Sequence, residues 1–175
     1  FIDLGRRSYG ITGNGDKHAK SHNVLTIDGV PPYPENKPYY SDEFRKSVTG
    51  AEPIWGGNHN HISVKTSCFS RIHGIGGWHR SWKFTDKEVT ISDTIEGKGL
   101  HTILRYLHTI HPTRNCDEGV IFGPFKASGS SKPVLETSKY WKSYGKSEDA
   151  VTITYSDWVS LPASLSLKVS LERTF

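Results

Sequence analysis

The sequence predicts an all-β fold, an antiparallel β-sandwich of about ten or more strands. Three observations predict it. Helical periodicity is nearly absent, apolar and polar residues alternate with period two in run after run, and clusters of Gly, Pro, Asn, Asp and Ser separate the runs.

The alternation is clearest near the end, where Leu165, Leu167, Val169 and Leu171 interleave with Ser166, Lys168 and Ser170. Val151, Ile153 and Tyr155 alternate with threonines, and Val89 and Ile91 alternate with Glu88, Thr90 and Ser92. Ile62, Val64 and Cys68 are assigned to one face of another strand. A strand has one side toward the core and one toward water, which is what such spacing provides. Turns are expected at Gly13 to Asp16, Asp28-Gly29, Pro31-Pro32, Gly56 to Asn58, Gly74 to Gly77 and Ser128 to Ser131, with a hairpin tip at Thr85 to Lys87. Leu100 to Ile110 is the one segment where a helix competes; its β-branched and aromatic residues favour a strand. No internal repeat or domain boundary is visible, so residues 1–175 read as a single domain.

The chain has 175 residues, 34% of them hydrophobic, with 17 Gly, no Met and a net charge of +4. That length is enough for one packed core. The missing Met and an opening that starts mid-strand lead to the expectation of a piece of a longer protein. No stretch is apolar for the length a membrane helix needs. The positive charge is small and interrupted by acids, and no nucleic-acid motif is present, so neither nucleic acid nor membrane is expected as a partner. There is no nucleophile elbow, phosphate-binding loop or cysteine-rich zinc signature. Cys68 and Cys116 could be bonded or free.

Two stretches carry a resemblance. Phe1 to Gly29 reads FIDLG, RRSYG and then SHNVLTIDG, and Gly77 to Gly97 reads GWHRSWKFTDKEVTISDTIEG. Together with LHTIHP (Leu107 to Pro112) they resemble the heparinase II/III-like polysaccharide lyases, over roughly the first two thirds of the chain. The resemblance implies the C-terminal β-sandwich portion of such a lyase, its helical toroid lying upstream and absent here. It implies cleavage of uronate-containing acidic glycans by β-elimination, in the periplasm or outside the cell. Neutralising the uronate carboxylate acidifies the neighbouring proton, a Tyr or His removes it, and an acid protonates the departing oxygen. The residues for these steps are expected upstream of Phe1, so the piece alone is not expected to be active. The rivals are a non-catalytic carbohydrate-binding sandwich and a purely structural module.

The resemblance also implies a zinc ion in the intact protein. Asp3, in FIDLG, and His22, in the His-Asn pair, match two ligands, and a third is expected from an upstream histidine. Carboxylate oxygen and imidazole nitrogen are ordinary zinc donors. Alternatively, Asp3 caps a turn and His22 hydrogen-bonds within the sandwich. Arg6, Arg7, Lys17, His18 and Lys20 form a basic segment before His22. It is either solvated loop charge or suited to uronate carboxylates, for which each guanidinium presents a planar fork. Asn23 is a candidate for substrate contact or for fixing a loop. Trp78, Arg80 and Trp82 share one strand face and form either a sugar-stacking surface or a packed cation–π ladder. His59 and His61, two apart, would share a side on a strand.

Overall fold

The computed structural model describes residues 1–5, 18–33 and 53–172. Within them lie ten strands and one turn of 3-10 helix, Ala19–Ser21. The strands are β1 (Leu25–Ile27), β2 (Ile54–Asn58), β3 (His61–Thr66), β4 (Ile75–Phe84) and β5 (Glu88–Thr109), then β6 (Thr113–Cys116), β7 (Gly119–Phe122), β8 (Phe125–Gly129), β9 (Val134–Ser143) and β10 (Lys146–Leu171). All pair antiparallel in one hydrogen-bonded sheet that does not close into a barrel. No helix among the described residues is long and apolar enough to cross a membrane.

The sandwich is that one sheet folded over, through two long strands that serve both layers. The first half of β5 and the second half of β10 sit in an eight-stranded layer ordered β2-β3-β4-β5-β10-β8-β7-β6. Their other halves sit in a four-stranded layer with β1 on one edge and β9 on the other. The ladder between β5 and β10 slips between Leu161 and Ala163, opposite Gly99 and Ile95. Pro162 there has no N–H to give to the ladder. Each core cluster draws from both layers. In one, Leu25, Ile27 and Ile103 of the small layer pack on Trp78, Ile95 and Leu165 of the large one. In the other, Leu107, Ile153 and Tyr155 meet Val120, Phe122, Ala127 and Leu167.

The predicted elements are largely present. Thr85 to Lys87 is the β4–β5 tip, and Leu100 to Thr109 continues β5 as strand. Asp28 and Gly29 have φ of 52° and 76°, the paired positive values of a two-residue hairpin turn, closed by hydrogen bonds between Ile27 and Val30. Four placements are corrected, one of them at Ser128 and Gly129, which end β8 and pair with Lys168 and Leu167 rather than forming a turn. Gly56 to Asn58 lies in β2 and the turn follows it, because Gly57 (φ 127°) runs so close to His61 that a Cβ would strike its carbonyl. His59 consequently sits in the turn, so it does not share a strand side with His61. Gly76 and Gly77 belong to β4, and Cys68 lies beyond β3, in the turn that follows. Cys68 and Cys116 are both free thiols. Gly13 to Asp16 lies outside the described residues.

Candidate functional site

Residues 1–5 form a strap across one end of the small layer. The Ile2 N–H donates to the His108 carbonyl on β5 (2.9 Å), and the Leu4 carbonyl accepts from the Trp141 N–H on β9 (2.7 Å). At Gly5 (φ 71°) a Cβ would run into the Trp141 carbonyl, so only glycine lets the strap lie this close. The strap is thereby held at both edges, and Asp3 sits between the two anchors.

Asp3 meets His22, which follows the 3-10 turn. Asp3 Oδ2 and His22 Nδ1 are 2.5 Å apart, and Asp3 Oδ1 accepts from the Gly5 N–H at 3.0 Å. Partial burial works to raise the Asp3 pKa. The His22 hydrogen bond, the Gly5 N–H and the charge of His22 outweigh it and hold the carboxyl below its ordinary value. Both side chains stay about half exposed, His22 at 42% and Asp3 at 55%. The contact is therefore reachable from solvent. Carboxylate oxygen and imidazole nitrogen are donors of the kinds zinc takes, but these two atoms face each other directly. An ion held at about 2 Å by both needs them roughly 3.3 Å apart, so zinc entry opens this hydrogen bond. Among the described residues there is no third His, Cys, Asp or Glu in metal-binding reach of the two.

Asn23 locks this arrangement in place. Its Nδ2 donates to the Ile2 carbonyl (2.8 Å), and its Oδ1 accepts from the His108 N–H (3.0 Å). Its own carbonyl accepts from Arg80 Nη1 at 2.9 Å. Arg80 also grips Asp93 with two parallel bonds, Nε to Oδ1 at 2.7 Å and Nη2 to Oδ2 at 3.0 Å. Trp78 Nε1 donates to the same Oδ1 at 2.8 Å, and the guanidinium lies 5.1 Å from the Trp78 ring centroid. Asp93 is fully buried, and Arg80 and Trp78 are each 8% exposed.

The structure thus brings five sequence candidates into one connected chain: Asp3, His22, Asn23, Arg80 and Trp78. Its two ends differ in character. Asp3 and His22 are open to solvent, whereas the polar atoms of Asn23, Arg80 and Trp78 are already engaged inside the protein. Arg6, Arg7 and Lys17 lie outside the described residues.

Three groups of residues had no assigned role in the sequence. Asp93 is the buried counter-ion of Arg80. Arg105 pairs with Asp157 at 3.3 Å between the layers and lies over the Tyr155 ring. His108 is fully buried beneath the strap with Nδ1 against Thr152 Oγ1 at 3.1 Å. Burial pushes its pKa down to about 4, opposed by the His22 backbone and the Asp3 charge. The hairpin register did hold the first of these: counting outward from the β4–β5 tip sets Arg80 opposite Asp93.

No family model matches the sequence, and no curated protein matches it. Solved structures do match. A heparinase III superposes with a TM-score of 0.66 at 13% identity, over 98% of this chain and 28% of that one. The heparan sulfate lyase HepC from Pedobacter heparinus gives 0.65 at 12% identity, over 99% of this chain and 28% of that one. The chain therefore has the fold of a β-sandwich within these lyases and spans about 28% of their length. The fold expected from FIDLG and SHNVLTIDG is the one observed.

Proposed function

We propose that this sandwich is the non-catalytic part of a polysaccharide lyase that cleaves uronate-containing acidic glycans by β-elimination, working with a helical toroid of the same protein. One observation carries the reading. Asp3 and His22, matched by motif to a metal site of the resembled family, lie 19 residues apart and yet meet at 2.5 Å in a body that superposes on heparinase III. The neutral strand rhythm of a generic sandwich does not require that meeting.

In this reading Asp3 and His22 supply two donors to a zinc ion, the remaining donors coming from the rest of the protein. The ion's contribution is to bind the strap and the His22 segment together more tightly than a hydrogen bond can. Asn23 fixes the direction of the His22 backbone, and Arg80, Asp93 and Trp78 hold Asn23 from inside the sandwich. Arg6 and Arg7, which follow Gly5 in the sequence, attract the uronate carboxylates of the glycan. The proton-transfer groups belong to the toroid side. The periplasm or the cell exterior is where such a substrate is met.

The experiment uses the complete protein on a panel of uronate glycans, followed by ultraviolet absorbance of the unsaturated sugar that elimination leaves. Metal content is measured alongside, for the wild type and for Asp3→Ala and His22→Ala. Absorbance growth with zinc that falls in both variants supports the proposal. A protein that binds glycan without ever producing the absorbance is a carbohydrate-binding module instead.

A further inference from the structure

The outer face of the small layer carries a groove of about 890 Å³ that none of the roles above uses. Its volume lies in the range of small-ligand sites, which run from roughly 300 to 1,000 Å³. Leu4 of the strap closes one end. The 3-10 turn with Lys20 and Ser21 forms one wall, and Leu135 to Ser138 of β9 forms the other. The floor is made by the outward side of the strands, where Thr26, Tyr106 and Thr152 line it.

Two features of this groove point to a ligand class. The first is its hydroxyl lining: Ser21, Thr26, Tyr106, Thr137 and Ser138, together with Thr152, whose Oγ1 is already bonded to His108 Nδ1. The buried hydroxyls of Thr26 and Ser138 have no hydrogen-bond partner among the described residues. Buried polar groups in native proteins are nearly always paired, so a surface of this kind is suited to a polar, hydroxyl-bearing occupant. The second is an ion pair between the two walls. Lys20 Nζ on the 3-10 turn and Glu136 Oε2 on β9 are 2.9 Å apart, with the side chains 58% and 47% exposed. An exposed pair of this kind contributes little to stability, typically 0 to about 1 kcal/mol, so an incoming carboxylate exchanges with Glu136 at small cost.

We propose that the groove binds a carboxylate-bearing saccharide, with Lys20 as the anchor for its carboxylate and Glu136 as the internal competitor that must give way. The saccharide hydroxyls lie along the Ser and Thr lining. The proposal rests on the sandwich serving an acidic glycan, but it concerns binding rather than elimination and is tested separately from it.

The test is calorimetric titration of the 175-residue chain with a uronate-containing disaccharide and with its carboxyl-reduced counterpart. Lys20→Gln is expected to weaken binding of the acidic disaccharide about tenfold, the loss of one charge-assisted contact. Glu136→Gln is expected to tighten it several-fold, because the competitor is gone while Lys20 remains. The reduced disaccharide should bind more weakly and respond to neither change. Both side chains are half exposed, so folding of the variants is not at stake. Equal affinity of the acidic and reduced sugars, or weaker binding in Glu136→Gln, overturns the proposal, as does absence of binding by the wild type. Failure of the lyase assay with this binding intact would remove the enzymatic reading and leave the groove.

Discussion

Breaking the Arg80–Asp93 pair should cost far more than breaking any surface ion pair of this protein. Asp93 is fully buried and Arg80 nearly so, and the pair is made of two bonds at 2.7 and 3.0 Å. Replacing Arg80 by Met keeps much of the volume but strands a carboxylate between the layers, with Trp78 Nε1 its one remaining hydrogen-bond partner among the described residues. Such a change typically costs about 3–5 kcal/mol, a large fraction of the roughly 5–15 kcal/mol that holds a domain together. It also releases the Asn23 carbonyl from Arg80 Nη1 and so loosens the segment that presents His22. The Arg80→Met/Asp93→Asn double variant removes both charges and keeps an oxygen for Trp78 Nε1. It should therefore recover at least about 2 kcal/mol relative to Arg80→Met alone, because the stranded charge is the main cost. Urea unfolding followed by tryptophan fluorescence measures all three proteins. A loss under about 1 kcal/mol in Arg80→Met, or a double variant less stable than the single one, would refute the reasoning.

Further predictions concern histidines, the strap and surface pairs. His108 titrates at about 4 when folded and near 6.5 when unfolded, so the unfolded state binds the extra proton. Stability is then lost as pH falls from about 6.5 through 4, by on the order of 3 kcal/mol in full, and His108→Gln should flatten that part of a pH–stability curve. His101 has the opposite sign: its hydrogen bond to Asp28 Oδ2 (2.8 Å) raises its pKa, although burial opposes this. The contribution of His101 is present below pH 6.5 and lost as pH rises through its folded value, so His101→Gln should cost stability at pH 5.5 and little at pH 9. Gly5→Ala should cost about 1–3 kcal/mol and expose the Trp141 amide to hydrogen exchange, because a Cβ collides with the Trp141 carbonyl. Lys139→Ala, at an exposed pair with Asp149, should change the melting temperature little.

The sequence was most readable where one physical signal acted alone. Leu165 and Leu167 alternate with serine and lysine, and both are buried as the period requires. Asp28-Gly29 specified its turn through the positive φ that few residues accept. Glycines were harder, because the same residue marks a turn and a close approach of two strands. Gly56 and Gly57 were the second kind. The folding of one continuous sheet into two layers was not legible, since no local pattern in β5 or β10 announces that a single strand serves both. For the site, the motif residues Asp3 and His22 came together as expected, through a strap whose anchors at His108 and Trp141 lie over 80 residues away in sequence. Asp93 was available from the hairpin register. The Lys20–Glu136 pair was not, because it needs β9 to cross beside the 3-10 turn.

Elimination chemistry on uronates is the proposed service of this scaffold. Ultraviolet absorbance of glycan digests by the complete protein is the most direct measurement. Growth of the unsaturated-sugar band on a uronate polymer, reduced in Asp3→Ala and His22→Ala, is the predicted result. A flat trace across heparan-type, alginate and other uronate substrates, from folded and metal-loaded protein, would contradict it.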